Sequence, residues 1–176
     1  METGAVYYAK HQDTYVIKPT GSVRYQLGCS FDEFLKRLFA REDFNDILID
    51  LTEVTMIDST FLGLLAKIAN YIRRRFDRKV TIFSSNEDIN KILDSVGFYS
   101  VFNICNADAA ISGDADRMAT RDADRSQLAR TLYEAHRILS DLNEKNREMF
   151  KNVVEELQDK VLSCSVTASG SNPELR

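Results

Sequence analysis

Glycine and proline are scarce, at seven and two in 176 residues. That argues against a turn-dense all-β sandwich and excludes collagen-like or low-complexity design. Histidine occurs only as His11 and His136, and no HExxH, GxSxG or glycine-rich phosphate loop is present. A serine nucleophile would need a general base and an orienting acid, so catalysis has little to stand on. The three cysteines, Cys29, Cys105 and Cys164, are widely spaced and form no CxxC or Cys/His pairing. They read as reduced thiols of a cytoplasmic protein, with no disulfide framework, no zinc site and no cofactor. No apolar run reaches the roughly 18 residues a membrane helix needs. The N-terminal stretch METGAVYYAKHQDTYVIK lacks the charged start and apolar core of a secretory signal. Charge of one sign is also missing. A net charge of −4 from 23 basic and 27 acidic residues gives no general attraction to nucleic acid or to an anionic membrane.

What is there suffices for a packed core: 44% hydrophobic and 10% aromatic residues. Two regimes are visible. Residues 1–105 hold short apolar runs and nearly balanced charge, whereas 106–176 hold few aromatics and a long helical period. Between them, 107–122 is small, polar and acidic, and reads as a linker or a short helix. The expected division is therefore 1–106 as a globular domain, 107–122 as the connection, 123–162 as a helical extension and 163–176 as a disordered tail.

In the first regime, Val6–Ala9 and Thr14–Lys18 read as paired strands around His11-Gln12-Asp13, with Pro19 ending the second. Ser30 is placed to cap a helix, with Glu33 completing a capping box and Phe31, Phe34, Leu35, Leu38 and Phe39 at helical spacing. Ile47–Leu51 is a nearly continuous apolar run, as in a strand buried on both faces. A loop follows. Asp58-Ser59-Thr60 opens a helix through Ile72 that ends in Arg73–Arg75, with charges complementing the helix dipole at both ends. Arg73–Arg75 with Arg78 and Lys79 reads as a solvated helix end, with contact to an acidic partner patch as the sharper alternative. Val80–Phe83 is a further strand, Glu87–Val96 a helix stopped by Gly97, and Val101–Ile104 a last short strand. Alternating strands and helices imply a sheet with helices against it.

In the second regime, Leu128, Leu132, Ala135, Leu139, Leu142, Asn146, Met149 and Val153 recur in heptad spacing. One long helix satisfies this pattern, and so does a hairpin broken near Ser140–Asn146. Asn146 either fixes register at a buried position or lies exposed at a break. Homodimerisation through 123–162, an arm folded over the first domain, and a second partner surface are all compatible with the pattern.

The most specific stretch is DLTEVTMIDSTFLGLLAKI, 50–68. It places the Ser59 hydroxyl at a helix N-terminus, where orphan N–H groups and the positive dipole end point. A phosphate there meets favourable charge. The plainer reading is that Asp58, Ser59 and Thr60 simply cap the helix. The segment resembles the signature of the STAS domain family, the anti-sigma-factor antagonists. Asp50, Leu51, Val54, Ile57, Asp58, Ser59, Thr60, Leu62, Gly63 and Leu65 fall on its central pattern, and Val80–Phe83 and Ile89–Phe98 resemble its next strand and helix. Phe61 stands where the family often has glycine, and would either enlarge the binding surface or pack on the core.

The resemblance implies an α/β fold of STAS type: a central mixed β-sheet flanked by helices, here with a C-terminal long helix or helical hairpin. It also implies partner switching. Ser59 aligns with a serine phosphorylated by a partner kinase of the GHKL type, often itself the anti-sigma factor, and dephosphorylated by a PP2C-type phosphatase. Asp58, Thr60, Phe61 and Leu62 would form the contact rim. The competing expectation is a structural STAS scaffold that assembles a complex through its C-terminal helices, with Ser59 merely a cap.

Overall fold

The computed structural model describes residues 2–107 and 113–168. Strands β1 (Ala5–His11) and β2 (Thr14–Val23) form an antiparallel hairpin, with Gln12 in the left-handed region at the turn. Helix α1 (Gly28–Phe39) leads to β3 (Asp46–Asp50), β4 (Val54–Ile57) and α2 (Ser59–Phe76). Then come β5 (Thr81–Phe83), α3 (Glu87–Ser95), the short α4 (Phe98–Val101), β6 (Asn103–Cys105) and β7 (Asp116–Arg117). The chain finishes with α5 (Arg125–Ser140) and α6 (Glu144–Ala168). The sheet order is β6-β5-β3-β2-β1-β7, with β4 also pairing β2. The β2–β3, β3–β5 and β5–β6 pairs are parallel, while β1 pairs antiparallel with β2 and β7. A mixed sheet flanked by helices, with C-terminal helices added, is thus the architecture.

Several local expectations give way to longer-range structure. Pro19 does not end β2, which runs on to Val23. On its β3 side, β2 pairs through Ile17, and its pairing with β4 begins only at Gly21. Pro19 falls in the gap between the two partners, where its missing N–H costs no ladder bond on that side. The loop expected after Leu51 contains β4, whose Thr55 and Met56 are exposed while Val54 and Ile57 are buried. That pattern is too short and too polar to announce a strand by period alone.

Ser30 caps nothing. Helix α1 begins at Gly28, and Ser30 lies buried within it, where its hydroxyl accepts from the Arg121 N–H at 3.1 Å. Glu33 pairs with the Arg121 guanidinium instead of closing a capping box. The expected last strand starts two residues late, because 98–101 forms α4. The stretch read as a linker or short helix contributes β7 and the buried Met118, both laid against β1. Residues 108–112 of that stretch lie outside the described residues.

The heptad region is a hairpin. Chain direction reverses at Asp141–Asn143, and the start of α5, at Leu128 and Leu132, lies beside the end of α6, at Leu157 and Lys160. Asn146 is fully buried, but its partners are within the chain: its Nδ2 donates to the carbonyls of Val96 and Leu139, both at 2.9 Å. The residue that could have set the register of a dimer instead ties α6 to the end of α3 and to α5. Residues 163–168, expected in a disordered tail, belong to α6, and 169–176 lie outside the described residues. No helix among the described residues is long and apolar enough to cross a membrane.

Candidate functional site

The site is built where β4 hands the chain to α2. Asp58 is extended, at φ −102° and ψ 172°, and its Oδ1 accepts from the Phe61 N–H at 2.9 Å, the standard N-cap geometry. Its Oδ2 accepts from the Tyr25 N–H at 2.7 Å. Both carboxylate oxygens are therefore engaged, one capping α2 and the other holding the turn before α1. Ser59 is the first helical residue, half-buried, at the positive end of an 18-residue helix.

The Ser59 hydroxyl meets a residue 77 positions away. Its Oγ lies 2.8 Å from Nε2 of His136 on α5. The other ring nitrogen, Nδ1, is 2.7 Å from the Leu132 carbonyl, which can only accept. In the neutral ring the proton is thereby assigned to Nδ1, and Ser59 donates to Nε2. His136 is 6% exposed and is backed by the edge-on ring of Phe150 from α6. Read from the sequence, His136 is a remote position inside a helix. The structure makes it the nearest side-chain partner of Ser59.

Close approach of α5 to α2 makes this contact possible. A Cβ on Gly63 would stand 2.1 Å from the Ala135 carbonyl oxygen, and its three nearest atoms would all belong to the Ala135 backbone. Glycine at 63 thus lets two helix backbones touch, with the small Ala135 opposite. One turn further along α2, Lys67 bridges Asp32 of α1 at 2.8 Å and Glu134 of α5 at 2.7 Å. Lys36 also reaches Asp32 at 2.8 Å.

Burial alone would raise the Asp32 pKa, but hydrogen bonds from Lys36 and Lys67 outweigh it and hold the carboxyl below its usual 3.8. Burial would likewise lower Lys67, but Asp32 and Glu134 raise it above 10.5. The sign follows for each. The Asp32 contribution to stability is present above its unfolded pKa and is lost as pH falls through the lower, folded value. The Lys67 contribution is present below 10.5 and is lost only as pH climbs through its higher folded value. Thermal melts should therefore show stability falling below about pH 4. Asp32→Asn should be less stable at pH 7 and show a shallower slope in that acid window. Parallel curves for the two proteins would remove Asp32 as the cause.

The other expected rim residues are placed differently. Thr60 and Leu62 are each 3% exposed, and Phe61 is fully buried. Of the two places open to Phe61, the structure takes the core: its ring stacks on Phe31 with centroids 4.6 Å apart and planes 6° from parallel. Within Asp58–Leu62 only Asp58 and Ser59 reach the surface, flanked by the exposed Met56 and Tyr25. Arg73–Arg75 are exposed, as a solvated helix end requires.

A model of the STAS domain matches residues 6–110, which takes in β1 from Val6 on, β2 to β6 and the Asp58–Ser59 turn. The chain belongs to the STAS domain family. No curated protein matches it as a relative. STAS domains are as a rule regulators and not enzymes, and the α5–α6 hairpin of this STAS protein lies outside the matched region.

An arm folded over the first domain was among the sequence's alternatives, but the residues that seat it were not legible there. The signal available was the pairing of small residues, Gly63 with Ala135, and polar residues beside the heptad positions, Thr131 and His136, which imply that α5 buries a second face.

Proposed function

We propose that this STAS protein is a non-enzymatic, phosphorylation-controlled partner switch of the anti-sigma-factor-antagonist type, with Ser59 as the switch. The observation that carries the reading is the placing of Ser59. It is a half-buried hydroxyl on the first turn of α2, next to a carboxylate whose two oxygens are already committed. Asp58 positions the turn, and Ser59 presents the modifiable oxygen. Thr60, Phe61 and Leu62 support the turn from beneath, and Met56 and Tyr25 supply apolar surface beside it. The partner classes are an anti-sigma factor or GHKL-type serine kinase and a PP2C-type phosphatase, in a cytoplasmic setting.

A phosphate adds about −1.5 to −2 charge. Against a docked surface, like charge costs several kcal/mol, which changes affinity by orders of magnitude. Partners should be captured from a lysate with Ser59→Ala as bait and titrated against both variants. Ser59→Ala is expected to hold its partner constitutively and Ser59→Asp to bind it at least about tenfold more weakly. Equal affinity of the two for the same partner counts against the switch.

A second reading has one observation in its favour. Met149 and Val153, one turn apart on α6, are 47% and 40% exposed, an apolar pair on one face that suits assembly of a scaffold through α6. Light scattering of the full chain and of its Met149→Glu/Val153→Glu form separates the two. A size that drops in the double variant supports assembly, and a monomer in both removes it.

A further inference from the structure

We propose that the α5–α6 hairpin is a lid over Ser59 that phosphorylation of this serine releases. The proposal rests on reading Ser59 as the modified residue, and goes beyond it by assigning a role to the extension.

The lid is seated at three places along α2. His136 takes the Ser59 hydroxyl at 2.8 Å, Ala135 lies against Gly63, and Glu134 reaches Lys67 at 2.7 Å. Three consecutive residues of α5 thus contact positions 59, 63 and 67 of α2, one per turn along a single face. The space between Oγ and Nε2 is one hydrogen bond wide. A phosphoryl group on Oγ replaces the proton that fills this gap, so the hydrogen bond that seats His136 on Ser59 is lost and a bulkier group stands in its place. The imidazole cannot withdraw, because Leu132 and Phe150 stand behind it. At Gly63 the two backbones already touch, so α5 can make room for a phosphate only by moving away from α2.

Transfer of the terminal phosphoryl group of a nucleoside triphosphate forms an Oγ–P bond and breaks the donor's bridging P–O bond. The nucleoside diphosphate leaves, and the hydroxyl proton goes to the base of the kinase. The new dianion then stands beside Asp58, and Lys67, two turns along α2, is already shared between Asp32 and Glu134. In the modified protein the hairpin is off, and its inner surface, which includes Thr131 and His136, is exposed.

The test uses the full chain with phosphoserine installed at 59 during translation, and needs neither kinase nor partner. Amide hydrogen exchange is measured over α5 and over β3 and β5. Phosphoserine is expected to speed exchange in α5 by at least about tenfold and to leave the strands unchanged. In a His136→Ala background the phosphate has room, and its effect on α5 should shrink to less than about threefold. Unchanged or slower exchange in α5 overturns the proposal. An equal acceleration with and without His136 also overturns it, by removing the contact that is meant to sense the phosphate. This outcome is separable from the switch itself: a native protein that never carries phosphate on Ser59 sinks the switch, whereas a native phosphoprotein with a fully protected α5 sinks the lid.

Discussion

Gly63→Ala is expected to lift the α5–α6 hairpin off the STAS core while the core stays folded. Alanine favours a helix interior over glycine by about 1 kcal/mol, so α2 gains locally. The added methyl, however, would lie 2.1 Å, 2.5 Å and 2.8 Å from the oxygen, carbon and Cα of Ala135. These are backbone atoms of a helix, which cannot rotate away as a side chain can. The clash therefore falls on the docking of α5, and with it go the Ser59–His136 and Lys67–Glu134 contacts. Hydrogen exchange should quicken by at least about tenfold through α5 and remain slow in β2, β3 and β5. Equal protection of α5 in both proteins would show that the backbones can separate without cost. Simultaneous loss of protection in helices and sheet would show that the hairpin is inseparable from the core.

Phe61→Ala should destabilise the whole domain by about 3–5 kcal/mol in urea denaturation, the range for removing a buried aromatic side chain. Phe61 is fully buried and stacks on Phe31, which stacks in turn on Phe34. The lost aromatic pairing is part of that cost. A loss below about 1 kcal/mol would mean that the surrounding core collapses into the space. The effect should appear equally in sheet and helix amides, unlike that of Gly63→Ala. The two variants thus distinguish a residue of the core from a residue of the seam between core and hairpin, although they are two positions apart on one helix.

Elements with local signals were legible in the sequence. The α2 boundaries follow from Asp58 as N-cap and Arg73–Arg75 in the last turn, and α3 from Asn86 as N-cap and Gly97 at φ 79°. The break between α5 and α6 falls within the polar stretch that allows a hairpin. What was not legible depended on partners far away in the chain. Pro19 stays inside β2 because of where β3 and β4 happen to begin and end. Ser30 is drawn from a cap into a contact with Arg121, 91 residues on. Ser59 stood out because a hydroxyl at a helix N-terminus is a local pattern and the motif around it resembles the STAS signature. His136 was missed because no period or spacing connects a residue of one helix to the terminus of another.

Native phosphorylation tests the switch most directly. The protein is recovered from its own cells, the partner-bound and free fractions are separated, and the peptide containing Ser59 is weighed by mass spectrometry in each. Phosphate on Ser59 in the free fraction and a bare hydroxyl in the bound one is the predicted result. A Ser59 that is never modified, or is modified to the same extent in both fractions, contradicts it.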